Sequence, residues 1–142
     1  MSDQNNPIQD ASSLAPVTPK GPTILWVEDD KFITSILTKK FVSAGFNLIH
    51  AKNGEEALEF LKTVVPDALV LDLLMPGMNG FDLLQKVRMD ERLRKVPAMI
   101  LSNLSKPSDI EKAKMLGAEK FIVKAAVSLD QIIVEVRGIC KK

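Results

Sequence analysis

Between Thr23 and Cys140 the chain alternates between two kinds of apolar pattern. The first is short and nearly continuous: Ile24-Leu-Trp-Val27, Ala68-Leu-Val-Leu71, Ala98-Met-Ile-Leu101 and Phe121-Ile-Val123. Unbroken apolar runs of this length match strands of a parallel sheet covered on both faces. A fifth run, Phe46-Asn-Leu-Ile49, holds a polar residue and is expected nearer a sheet edge. The second pattern has helical spacing. Ile33, Ile36, Leu37 and Phe41 recur on one helical face, and Gly45 follows as a C-terminal cap. Ala57, Leu58 and Leu61 mark a second helix after Asn53-Gly54, and Phe81, Leu84 and Val87 mark a third. Ser108-Asp-Ile-Glu111 and Ser128-Leu-Asp-Gln131 have the form of capping boxes. They predict the starts of a fourth helix and of a fifth that continues through Ile132, Ile133 and Val136.

Five strands alternating with five helices predict an α/β fold with a doubly wound parallel sheet. Right-handed crossovers then bring all the strand C-terminal ends to one edge, where such sheets bind ligands. Residues 1–22 stand apart. They hold Pro7, Pro16, Pro19 and Pro22 among many Ser, Asn and Gln, with no apolar period, so a flexible leader is expected before one domain over 23–142.

Composition narrows the class of function. With 46% apolar and 26% charged residues the chain has the balance of a globular protein, and a net charge of +1 supplies no field for nucleic acid or an anionic membrane. One cysteine, Cys140, excludes an internal disulfide framework and a Cys-cluster zinc site. The start, Met1-Ser-Asp-Gln-Asn-Asn, lacks the basic and apolar segments of a signal peptide, and the apolar run near residue 70 is interrupted by Asp72. A soluble, cytoplasmic protein is expected.

The polar residues of interest fall at the predicted strand ends: Glu28, Asp29 and Asp30 after the first, Asp72 after the third, Ser102 after the fourth and Lys124 after the fifth. Carboxylates gathered in one pocket repel each other unless a hard cation or a proton intervenes. Magnesium suits such a group, because it takes one or two carboxylates together with carbonyls, waters and phosphate oxygens. Lys124 can pair with a carboxylate or a phosphoryl oxygen, and the Ser102 hydroxyl can donate to an oxyanion. These parts suit the transfer of a phosphoryl group onto a carboxylate, a reaction dominated by positioning and charge neutralisation. Each residue also has a plain reading: Asp30 as a helix N-cap, Ser102 as a turn residue, Lys124 as a solvated surface group. Their joint placement at four strand ends favours the site.

The sequence resembles the receiver domain of bacterial two-component response regulators over nearly all of residues 23–140. The resemblance rests on Ile24-Leu-Trp-Val-Glu-Asp-Asp30, Leu69-Val-Leu-Asp-Leu-Leu-Met-Pro-Gly-Met-Asn-Gly80, Ile100-Leu-Ser102 and Gly117-Ala-Glu-Lys-Phe-Ile-Val-Lys124. The Asp-x-x-Met-Pro-x-Met-x-Gly stretch is specific. The separations of 43, 30 and 22 residues between Asp29, Asp72, Ser102 and Lys124 also look like the family's pattern. The resemblance implies a flavodoxin-like fold with strand order 2-1-3-4-5. It makes Asp72 the phosphoacceptor, taking its phosphoryl group from a sensor histidine kinase, a phosphotransfer protein or a small acyl phosphate. Mg2+ would be bound directly by Asp29, mainly through water by Glu28, and by Asp72 and the backbone carbonyl of Leu74. Ser102 would hydrogen-bond a phosphoryl oxygen, Lys124 would pair with Asp72 and then with the phosphoryl group, and Phe121 would be the aromatic switch. A downstream protein would bind the fourth helix, fifth strand and fifth helix, about 107–139, with the chain a monomer or a phosphorylation-dependent dimer. No nucleic-acid or membrane partner is implied.

One departure stands out. The family usually has proline directly after the lysine, joined through a cis peptide, and here Ala125 follows. Either a trans bond with a rearranged loop or a cis bond under strain is expected. Leu74 and Asn103 flank the route of the hydrolytic water, and a leucine there predicts slow self-dephosphorylation. His50 has no partner in spacing and is read as structural or solvated, and Trp26 as core. Lys112 and Lys114 read as a wet helix face, Cys140 as a small apolar residue, and the sequon Asn103-Leu-Ser105 as chance without a secretory signal. Two other functions compete. A pseudo-receiver, a phosphorylation-independent interaction module, draws only on Ala125. A different α/β protein, such as a haloacid-dehalogenase-type phosphatase or a flavin-binding protein, is disfavoured by Leu74 and by the lack of a Gly-rich phosphate loop. The end of the chain shortly after the fifth helix, together with the leader, suggests a stand-alone receiver rather than a fragment.

Overall fold

The computed structural model describes residues 21–140; the greater part of the expected leader lies outside them. Five strands alternate with five helices in chain order: β1 Thr23–Val27, α1 Lys31–Ser43, β2 Asn47–Ala51, α2 Gly54–Leu61, β3 Ala68–Leu71, α3 Gly80–Met89, β4 Ala98–Ser102, α4 Pro107–Met115, β5 Lys120–Val123 and α5 Leu129–Cys140. The strands form one parallel sheet in the order β2-β1-β3-β4-β5. The run with the internal polar residue is indeed at an edge, because β2 pairs with β1 alone.

Side chains alternate across the pleat and divide the core into two clusters. Leu25, Val27, Leu69, Leu71, Ala98 and Ile100 point to the face covered by α2, α3 and α4, meeting Ala57, Leu61, Leu83, Leu84, Val87 and Ala113. Ile24, Trp26, Val70, Met99 and Leu101 point to the other face, where α1 and α5 bring Leu37, Phe41, Ile132, Val136 and Ile139. Burial on both faces explains why these strands lack polar alternation. Trp26 is fully buried, and its Nε1 has no hydrogen-bond partner among the described residues.

Local chemistry sets the helix ends. Asn53 and Asn79 each accept a hydrogen bond from the backbone N–H three residues on, from Glu56 at 2.8 Å and Asp82 at 2.9 Å. Gly45 takes φ +93° just after α1, as its reading as a cap requires. One expected helix start is corrected, and the other holds: α5 begins at Leu129, directly after Ser128. Helix α4 begins at Pro107, not at a Ser108 cap, and its N-cap Lys106 makes no side-chain bond. Proline at the first position removes one of the donors that a cap would otherwise serve. The box at Ser128 is half made: its Oγ accepts from Gln131 N–H at 3.1 Å, while the Gln131 amide reaches forward to Glu135 at 2.8 Å. In α3 the buried side chains are Leu83, Leu84 and Val87, and Phe81 is half-buried beneath the Lys112 ammonium at 4.6 Å from its ring centre.

Register fixes where the chain turns away from the sheet. Val27 pairs with Leu71, Leu71 with Ile100, and Ser102 with Val123. The residues that follow therefore share one edge, and the Asp72 N–H continues the ladder by donating to Val27 O at 3.1 Å. At the opposite end, Arg88 of α3 donates to four carbonyls: Leu116 at 3.2 Å, Arg94 at 3.0 Å, Val96 at 2.8 Å and Gly117 at 2.9 Å. It ties α3 to the turns before β4 and β5.

Candidate functional site: an acidic cluster with one lysine

The strand ends bring Glu28, Asp72 and Lys124 into contact, and Ser102 ends β4 on the same edge. Glu28 is 1% exposed, Asp72 6% and Ser102 0%. Lys124 Nζ lies 2.6 Å from Glu28 Oε1 and 3.1 Å from Asp72 Oδ2. The pairing with Asp72 was expected from the resemblance; the shorter contact with Glu28 was not. One carboxylate oxygen from each of Glu28, Asp29 and Asp72 lies within 4.8 Å of the other two. Asp29 is the exposed member, at the solvent side of the group.

One ammonium thus faces two buried carboxylates and a third nearby. Burial is the main influence that pushes the Glu28 carboxyl above its ordinary value, and the Asp72 charge adds to it, while the Lys124 bond opposes both. Burial alone would lower the Lys124 ammonium, but its bond to Glu28 and the charges of Asp72 and Glu28 outweigh that and hold it above the ordinary lysine value. The remaining negative charge and the all-oxygen donor set fit a hard divalent cation. One carboxylate oxygen from each of the three residues suits Mg2+, which takes one or two carboxylates together with carbonyls and waters in an octahedron.

Asp30 does not join the cluster. Its Oδ1 accepts from Phe32 N–H at 2.9 Å and Ile33 N–H at 3.2 Å, so it caps α1, the plain alternative offered by the sequence. Its own N–H donates to Glu28 Oε2 at 3.1 Å and helps orient that side chain. His50 has a partner that spacing did not reveal: Nε2 lies 2.7 Å from the Glu28 carbonyl oxygen, to which it donates, and 3.3 Å from Thr34 Oγ1. The signal was in the strand pairing, since Trp26 lies opposite His50 and Glu28 is two residues on.

The loops complete the surroundings. Ser102 Oγ accepts from Leu104 N–H at 3.2 Å, which leaves the hydroxyl proton for another acceptor. Leu74 N–H donates to Asp72 Oδ1 at 3.3 Å, and the Leu74 side chain is 60% exposed. Phe121 is half-buried and packs against the cluster under α2, α3 and α4. All peptide bonds among the described residues are trans, so of the two geometries expected at Ala125 the chain has the trans bond, within a 3₁₀ turn at Lys124–Ala126. The Ala125 N–H donates to Asn103 Oδ1 at 3.0 Å. Among the described residues no helix is long and apolar enough to cross a membrane.

Known proteins share this fold. Residues 24–137 match the family described as response regulator receiver domain. The chain is 36% identical over 112 residues to the Regulator of RpoS of Escherichia coli K12, covering 79% of this chain and 33% of that one. It therefore spans about a third of that relative's length. The crystal structure of a putative response regulator from Chloroflexus aurantiacus superposes with a TM-score of 0.80 at 28% identity, covering 87% of this chain and all of the other. The fold is shared, at 20% identity and a TM-score of 0.77 over 86% of this chain and 99% of the other, with the receiver domain of the sensor histidine kinase PA1611 of Pseudomonas aeruginosa, which has a magnesium ion coordinated in its active site cleft. With five parallel strands in the order 2-1-3-4-5 and the match over residues 24–137, the chain belongs to the response regulator receiver domain family.

Proposed function

We propose that Asp72 accepts a phosphoryl group from a histidine kinase or phosphotransfer protein and that the resulting aspartyl phosphate switches the surface formed by α4, β5 and α5. The observation that carries this reading is the buried Asp72 with Lys124 Nζ 3.1 Å from its Oδ2, inside a cluster of three carboxylates. An Asp72 oxygen attacks phosphorus in line, the P–N bond of a phosphohistidine or the P–O bond of an acyl phosphate breaks, and the electron pair leaves with imidazole or carboxylate. Asp29, Asp72 and the Leu74 carbonyl would hold Mg2+, with Glu28 mainly through water. The ion, when bound, supplies neutralisation of charge on the transferring group. Lys124 compensates the negative charge of Asp72 and then that of the phosphoryl oxygens. Ser102 donates its hydroxyl proton to a phosphoryl oxygen, and Phe121 responds as that hydroxyl moves. Leu74 and Asn103 border the path of hydrolytic water, and an apolar side chain at the first slows loss of the phosphoryl group.

The pseudo-receiver reading drew on Ala125, and the reach of Lys124 to Asp72 despite that residue weighs against it. The deciding experiment is intact-protein mass after incubation with Mg2+ and acetyl phosphate, with Asp72→Asn alongside. One added phosphoryl group, absent with EDTA and in the variant, is expected. No adduct from acetyl phosphate or from a promiscuous kinase overturns the reading.

A further inference from the structure

Asn103 and Ala125 directly follow Ser102 and Lys124, at the ends of the adjacent parallel strands β4 and β5. Ser102 pairs with Val123, so the two segments leave the sheet side by side. Ala125 is the second residue of the 3₁₀ turn Lys124–Ala126, and that turn has no cap from its own preceding side chain. The first N–H groups of such a turn have no acceptor within it. Asn103 Oδ1 supplies one, accepting from the Ala125 N–H at 3.0 Å. Proline at position 125 has no N–H and could not make this bond. The backbone of Lys124 is thus fixed from both sides: before it by the β4–β5 ladder, and after it by Asn103. From that backbone the side chain reaches across the sheet edge to Glu28 and Asp72.

We propose that Asn103 is a positioning residue for Lys124: by accepting from the Ala125 N–H it holds the turn after β5 against the end of β4 and so sets the reach of the lysine onto Asp72. This assigns Asn103 a task separate from bordering the water path. It rests on the proposed phosphoryl transfer only for its effect on rate.

The test compares the whole protein with Asn103→Ala and Asn103→Asp, the latter keeping an Oδ acceptor. Amide exchange of Ala125 and the ε-methylene resonances of Lys124 are followed by NMR, and phosphorylation by acetyl phosphate and Mg2+ is followed by mass. In N103A the Ala125 amide is expected to exchange about three- to tenfold faster, the range for losing one neutral hydrogen bond. The Lys124 resonances move toward those of solvated lysines, and phosphorylation slows about as much as exchange accelerates, with the melting temperature little changed. N103D keeps the slow exchange and the native Lys124 resonances. Unchanged Ala125 exchange or unchanged Lys124 resonances in N103A would overturn the proposal, as would their loss with the phosphorylation rate intact. If the wild-type protein takes no phosphoryl group, the proposed function fails. The two NMR readings still decide whether Asn103 places the lysine.

Discussion

A methyl group at Gly80 should be costly, while the same methyl at Gly138 should be harmless or helpful. Gly80 opens α3 directly against the end of β3. A Cβ built on it falls 2.3 Å from the Asp72 carbonyl oxygen, 3.0 Å from Leu73 Cα and 3.1 Å from the Asp72 carbonyl carbon. An ordinary carbon–oxygen contact is about 3.3 Å or more, so something must move by about 1 Å. The obstacle is main chain and cannot swing aside as a side chain does. It is anchored as well, because Asp72 N–H is bonded to Val27 O and Gly80 N–H to Leu73 O. Overpacking of this kind costs about 1–3 kcal/mol, and the rigid obstacle puts Gly80→Ala at about 2–3. Gly138 lies in α5 with nothing within 4 Å of its Cβ position. There alanine adds helix propensity, about 0.5 kcal/mol of stabilisation near the helix end. Urea unfolding of both variants, followed by circular dichroism, measures the contrast. The reasoning is refuted if Gly80→Ala costs less than about 0.5 kcal/mol, or if Gly138→Ala costs as much as Gly80→Ala. Because the displaced atoms belong to Asp72 itself, G80A should also take up phosphate from acetyl phosphate more slowly while still folded.

Three further outcomes are expected. Glu28→Gln should raise the melting temperature at pH 7 in EDTA. A carboxyl held above its ordinary value in the fold contributes stability below the unfolded carboxyl range and loses it as pH rises through the folded value, so the advantage of the amide should vanish near pH 4 and grow upward from there. A variant no more stable than wild type at pH 7 counts against this. Arg88→Lys should destabilise by about 2–3 kcal/mol in urea, since one ammonium cannot span the four carbonyls that the guanidinium reaches, and a loss below about 0.5 sinks the idea. Burial, with the Asp67 charge, pushes the Cys140 thiol up to about 11. Its alkylation by iodoacetamide at pH 8 should therefore run on the order of a hundredfold slower than that of a free thiol and climb steeply above pH 10, and parity with glutathione at pH 8 refutes it.

The sheet was legible because strands buried on both faces must be apolar throughout, as the runs of β1, β3 and β4 are; β5 is apolar from Phe121 to Val123 yet only half-buried at the other edge, which its run did not show. The edge position of β2 was legible for the complementary reason, Asn47 within its run. Topology accounts for the meeting of Glu28, Asp72 and Lys124, because the crossovers place those strand ends on one edge. What stayed hidden depends on rotamers and register across long separations. Lys124 reaches Glu28 across 96 residues, and nothing in either segment says that this contact is shorter than the one to Asp72. His50 on the Glu28 carbonyl required the β1–β2 register. Asn103 looked like a neighbour of the water path, and only the trans turn after Lys124 shows which N–H it serves. The start of α4 was misplaced because Ser108 and Glu111 have the right spacing for a box, while Pro107 begins the helix without one.

The indole of Trp26 gives the protein an optical label on one of its two faces. It is the chain's single tryptophan, and it sits between the sheet and the α1–α5 layer with its N–H unbonded among the described residues. Its emission therefore comes from one fully buried site, at the blue end of the tryptophan range. Water entering beneath α5 will shift that emission to the red, whereas a rearrangement confined to α4 and Phe121 takes place on the far side of the sheet and leaves the colour unchanged. A fluorescence spectrum recorded before and after phosphorylation would thus report which layer of the fold moves, with no dye attached.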